Sequence, residues 1–147
     1  MNRFDVTEAI VAAKIAKGLK WADIAKKVGQ SKEWTTAALL GQMALTEKQA
    51  ETVGNLLGLG KEAVTLLQEV PYKGSLPTAV PTDPLIYRFY ELVNVYGTTL
   101  KALIHEEFGD GIMSAIDFDM DIQRQPDPKG DRVRIVMSGK FLPYKTY

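Results

Sequence analysis

The sequence contains no cysteine, which excludes a disulfide framework, thiolate zinc sites and a cysteine nucleophile together. It has one histidine, His105, so no His-rich metal cluster can be assembled from it. It has no excess of either charge sign: 18 Lys+Arg stand against 18 Asp+Glu, and no overall positive field would draw the chain to nucleic acid or to an anionic membrane. It also lacks a long hydrophobic run. No stretch approaches the roughly 20 apolar residues of a membrane span, and the opening MNRFDVTEAIVAAKIAKGLKW has no apolar run of signal-peptide length. The expectation is a cytoplasmic protein that does not meet a membrane. With 147 residues the chain can form one domain or two small ones, each with a modest core.

From Asp5 to Leu67 the pattern is helical. Asp5 with Glu8 three residues later reads as a capping-box-like start for a helix over Val6–Lys17, stopped by Gly18. A second helix carries Trp21, Ile24, Ala25 and Val28 at i, i+3, i+4 and i+7 and closes at Gly29. Ser31 caps a third through Leu40, Thr46 and Gln49 form a capping box for a fourth to Leu57 before Gly58, and a fifth spans Lys61–Leu67. The sharp Val28-Gly29-Gln30-Ser31 turn resembles the helix-turn-helix of the lambda-repressor-like fold. A DNA-reading helix presents Arg, Lys, Asn or Gln to base edges. KEWTTAALL, the segment in that position, offers one Lys beside a Glu and otherwise mostly small or apolar residues. Lys14, Lys17, Lys20, Lys26, Lys27 and Lys32 read as a solvated face, and no nucleic-acid partner is expected.

Pro71, Pro77, Pro81 and Pro84, with Gly74 and Ser75, mark a non-helical connector. The expected organisation is a helical domain over 1–70, a linker over 71–83, and a second domain over 84–147. Asp83-Pro84 is a strong helix start. The helix it opens is expected to reach Tyr96 and stop at Gly97. Leu85, Ile86, Tyr87, Phe89, Tyr90, Leu92, Val93, Val95 and Tyr96 wrap it almost completely, as on a helix buried on most sides. A small domain cannot supply that cover, so contacts with other subunits are expected.

Arg88 and Glu91 are the only charges on that helix, three residues apart and on one face, with Asn94 continuing the strip. Removing charges from water costs several kcal/mol per ion unless they are paired, so their retention on an apolar helix points to function. A plain surface salt bridge is the alternative that spacing leaves open.

Thr98 or Thr99 is expected to cap a further helix with Leu100, Leu103, Ile104 and Phe108 inward, ending at Gly109-Asp110-Gly111. His105, followed by two glutamates, reads as an exposed or half-exposed helix residue. Alternation over 114–122 puts Ile116, Phe118, Met120 and Ile122 on one face of a strand. A second strand over about Arg132–Ser138 aligns Val133, Ile135 and Met137. Two strands are marginal alone in water. Ser114 stands where the glycine turn meets the strand; no base is adjacent and the G-x-S-x-G elbow of hydrolases is absent.

DPLIYRFYE, VYGTTLKALIHEEFGDG and GIMSAIDF, in this order and at these separations, resemble the carboxyl-terminal signature of the cyanase family, and TAALLGQMAL (Thr36–Leu45) resembles its amino-terminal domain. The resemblance implies an α+β protein: a helical repressor-like domain without DNA-binding activity, then a small helix-and-strand domain that dimerises and catalyses. It implies Arg88, Glu91 and Ser114 as catalytic residues, cyanate and bicarbonate as substrates, no cofactor or metal, and a homodecamer of five dimers. Some members carry Asn at the position of Asp117. A helix-turn-helix regulator with an anion-sensing, oligomerising domain is the alternative.

Overall fold

In a computed structural model, which describes residues 1–145, the first helix is α1 (Arg3–Ala16). It starts a turn earlier than the Asp5 cap implied. Asn2 is the N-cap: its Oδ1 accepts from the Asp5 amide at 3.0 Å, and Asp5 Oδ2 accepts from the Asn2 amide at 2.7 Å. Asp5 is thus the reciprocal partner of a capping box rather than its first member. The extra turn brings in Arg3, whose Nη2 donates to the Ala38 carbonyl at 2.7 Å. Burial pulls the Arg3 pKa below its ordinary value, as expected when a charge loses water.

Helices α2 (Trp21–Val28), α3 (Lys32–Leu39), α4 (Glu47–Leu57) and α5 (Lys61–Leu66) follow within a residue of expectation. Gly29 and Gly58 take left-handed φ values of 82° and 71°, which lets the chain leave α2 and α4 sharply. Ser31 Oγ and Thr46 Oγ1 accept the amides of Trp34 and Gln49. α2 packs on α3 and α4, and α5 packs on α1 and α4. Their inward stripes form one core that includes Val6, Ile10, Ile24, Leu39, Val53 and Leu67, all fully buried. Each large side chain there contributes about 1.5–3 kcal/mol.

The chain divides into two compact units, Met1–Ser75 and Leu76–Tyr147; Thr146 and Tyr147, which end the expected second domain, lie outside the described residues. In the second unit a single helix, α6, spans Pro84–Phe108. The expected stop at Gly97 and new cap at Thr98 or Thr99 are therefore corrected. A glycine ends a helix when its backbone turns left-handed, as Gly29 and Gly58 do. Gly97 stays helical, at a cost of about 1 kcal/mol relative to alanine, and no proline follows to force a break. Asp83 Oδ1 caps the start, accepting from the amides of Leu85 and Ile86 at 3.0 Å each. None of the 25 residues of α6 is buried, so the cover expected for its apolar wrap is not provided within the single chain.

Strands β1 (Gly111–Gln125) and β2 (Arg132–Pro143) form an antiparallel hairpin, both longer than their alternation indicated. Phe118 pairs with Gly139, Met120 with Met137 and Ile122 with Ile135, which puts their side chains on one face. Ile116 departs from expectation: the ladder is interrupted between Met113 and Phe118, and Ile116 is 92% exposed. Among the described residues no helix is long and apolar enough to cross a membrane.

Of the glycines in the first unit Gly54 has the least room, since a Cβ there would lie 2.5 Å from Val64 Cγ2. Alanine gains about 1 kcal/mol of helix propensity there, against an overpacking penalty of about 1–3 kcal/mol beside a stiff β-branched side chain. Gly54→Ala is expected to lower stability in chemical denaturation; a rise would mean that α4 and α5 have slack.

Candidate active site

Arg88 lies in the second turn of α6, with Glu91 on the same face. Their closest approach, Nη1 to Oε1, is 3.9 Å, and the side chains are 65% and 48% exposed. This is a loose ion pair rather than a hydrogen bond. The guanidinium leans toward the Tyr87 ring, 5.9 Å from its centroid. Arg88 thus keeps nearly all of its planar donors uncommitted and can hold an anion through two parallel bonds.

Ser114 is built differently. It is 6% exposed and opens the interruption in β1, where Ser114–Asp117 bulge between the pair Met113–Phe141 and the pair Phe118–Gly139. Its Oγ accepts from the amides of Ile116 at 3.1 Å and Asp117 at 2.9 Å. A hydroxyl carries one hydrogen and two lone pairs. With both lone pairs engaged, the Ser114 hydrogen is left to donate, and two N–H dipoles aimed at its oxygen make it a stronger donor. Asp117 contributes here through its backbone, so the substitution of Asn for Asp that the family resemblance raised leaves this contact unchanged.

His105 is half-buried near the end of α6. Its Nε2–H donates to the Gly111 carbonyl at 3.0 Å, and Nδ1 stands 3.4 Å from Asp110 Oδ1. The ring of Tyr144 meets it edge-on, with centroids 6.2 Å apart. It braces the entry to β1, beside a hollow of about 280 Å³ that Lys101, Ile104 and Met113 also line. No group of three or more His, Asp or Glu side chains suited to a metal occurs among the described residues.

The three expected site residues are not brought together within one chain. At about 1.5 Å per residue α6 is about 37 Å long; Arg88 and Glu91 stand near its start, and the hairpin that carries Ser114 begins beyond its end. Among the described residues no hydrogen bond, ion pair or ring contact joins Arg88 or Glu91 to Ser114.

Two family models account for nearly the whole chain: cyanate hydratase, N-terminal, over residues 3–71, and the cyanate lyase C-terminal domain over residues 78–146. The chain belongs to the cyanate lyase family. Among curated relatives of this cyanate lyase family member, the cyanate hydratase of Ralstonia pickettii (strain 12J) is 76% identical over 147 residues, the whole of both chains. That of Variovorax paradoxus (strain S110) is 74% identical, again over the whole of both. The crystal structure of cyanase from T. urticae matches with a TM-score of 0.81 at 40% identity, covering 94% of this chain and 96% of that one. The α+β cyanate lyase fold is therefore established, and a transcriptional regulator finds no support among these relatives.

Ser114→Ala leaves the Ile116 and Asp117 amides without an acceptor. Both bonds are only partly buried, so the change is expected to lower stability by about 0.5–1.5 kcal/mol, the net worth of an ordinary hydrogen bond, measured by chemical denaturation. An unchanged midpoint would mean that water replaces the hydroxyl without loss.

Proposed function

We propose that this chain decomposes cyanate using bicarbonate as co-substrate, and that each site draws on more than one copy of the chain. The observation that carries the chemistry is that the chain holds both an uncommitted guanidinium at Arg88 and a hydroxyl at Ser114 whose hydrogen is free to donate. These occur in a chain whose full-length relatives are cyanate hydratases.

Both substrates are monoanions. Brought within 4 Å at an effective dielectric of about 20, they repel by about 4 kcal/mol. A permanently charged, planar donor group answers that repulsion, and Arg88 is that group. Ser114 donates to an oxygen or nitrogen of the bound anions and holds them in attack geometry. Glu91, beside Arg88, orients the guanidinium and relays a proton.

In the reaction so assembled, a bicarbonate oxygen forms a bond to the central carbon of cyanate, and the displaced π electrons move onto nitrogen. Nitrogen receives two protons, one from bicarbonate and one from solution. The bond from the bridging oxygen to the bicarbonate carbon then breaks, its electrons staying on that oxygen. Carbon dioxide leaves and carbamate remains; carbamate takes a further proton and falls to ammonia and a second carbon dioxide. Bicarbonate supplies the nucleophile, so the scheme calls for no metal or organic cofactor. A cytoplasmic setting suits a chain without cysteine.

The distance between Arg88 and the hairpin along α6 supports a shared site. So does exposed apolar surface: Leu85 is 69%, Val95 66% and Val133 76% exposed in the single chain. Association of copies buries such surface. The family resemblance implies ten copies arranged as five dimers.

Ammonia release from cyanate is expected with bicarbonate present and is expected to cease when bicarbonate is stripped by degassing at fixed pH. Release that persists without bicarbonate refutes the co-substrate. Arg88→Leu and Glu91→Leu are expected to abolish turnover with the oligomer mass unchanged by light scattering.

The shared site has its own test. Arg88→Leu and Ser114→Ala chains, inactive apart, are expected to regain activity when co-assembled, with about a quarter of sites intact for random mixing in a symmetric oligomer. No recovery in verified mixed oligomers places all three residues of a site on one chain.

A further inference from the structure

We propose that Gly139 is a positioning residue for Ser114, a role that rests on the assignment of Ser114 to the reaction. The hairpin ladder runs as two stretches. One joins Gly111–Met113 to Phe141–Pro143, and the other begins at the pair Phe118–Gly139. Between them Lys140 alone stands opposite the four residues Ser114–Asp117. Gly139 is the first residue of β2 on the far side of that bulge, and the backbone of Ser114 comes directly against it.

A Cβ on Gly139 would collide with the Ser114 carbonyl oxygen and would lie 2.6 Å from Met113 Cγ and 3.3 Å from Met113 Sδ. The φ of Gly139 is not left-handed. Glycine is therefore demanded by space and not by backbone conformation, as where one strand closely approaches another backbone.

The two collisions are unequal. A methionine tip can swing aside, whereas the Ser114 carbonyl belongs to the peptide that leads into the Ile116 and Asp117 amides. Moving that carbonyl tilts those donors away from Oγ and redirects the serine hydrogen. Gly139 thus sets the aim of a hydroxyl that it does not itself touch.

The test is steady-state kinetics on Gly139→Ala, with light scattering and thermal melting on the same samples. The expected result is an intact oligomer with kcat down roughly a hundredfold, the loss that about 1 Å of misplacement produces in an oriented reaction. KM for cyanate is expected to change by less than about threefold, since the loss falls on the transition state.

Adding Met113→Ala to Gly139→Ala relieves the side-chain collision alone and is expected to leave turnover low. Full turnover in that double variant would overturn the proposal, because the contact that matters would then be with Met113. Loss of the oligomer in both Gly139→Ala and its Met113→Ala derivative overturns it too, since Gly139 would be holding the assembly rather than the serine. If Ser114→Ala is inactive while Gly139→Ala is fully active, the positioning role alone fails. If Ser114→Ala is itself fully active, the assignment of Ser114 fails, and the role of Gly139 with it.

Discussion

The second half of the chain carries apolar surface that it cannot bury on its own. Among the described residues the buried valine, isoleucine, leucine and alanine side chains all belong to the first unit, where five short helices close around one core. The second unit consists of a 25-residue helix without a buried residue and a hairpin whose apolar face, including Met137 at 56% exposure, is largely open. A two-stranded sheet and a lone helix are each marginal in water. Folding of this unit and association of copies are therefore one process under the proposed assembly, as in obligate oligomers whose stability is inseparable from protomer concentration.

Much of the fold was legible because its signals are local. Ser31, Thr46 and Asp83 bond to amides two or three residues away, and Gly29 and Gly58 turn left-handed where the helical stripe ends. Such features need no knowledge of distant residues. Misreadings arose where two local signals competed or where a distant partner decided the outcome. Asn2 and Asp5 were both competent caps, and the earlier one adds a turn from which Arg3 reaches the Ala38 carbonyl. Gly97 followed by two threonines has the composition of a helix end, yet nothing there turns the backbone left-handed. The length of β1 and the exposure of Ile116 depend on a bulge set by β2, about two dozen residues downstream, and alternation within one strand cannot reveal it.

The candidate site divides along the same line. Arg88 and Glu91 stood out in the sequence because they are the two charges in the otherwise apolar stretch from Leu85 to Tyr96. Ser114 had no such mark. Its distinction is the pair of amides on its oxygen, and that pair exists only because the strand bulges opposite Lys140 with Gly139 pressed against it. Residue type and spacing pointed to the cation, whereas only tertiary register describes the hydroxyl. Family resemblance supplied the serine, and the geometry describes its hydrogen bonds.

The double acceptance at Ser114 Oγ also bears on which anions this hydroxyl can greet. With its lone pairs occupied, it is a donor of fixed direction and has nothing to offer a ligand that must itself donate. The protonated end of a neutral acid would meet an oxygen with no acceptor capacity left, while a linear anion with lone pairs at both ends can meet it by either terminus. Discrimination between the two ends of such an ambident ion therefore falls to its other contacts. Under the proposed function the serine offers a hydrogen and nothing else, and the polarity of insertion falls to the arginine.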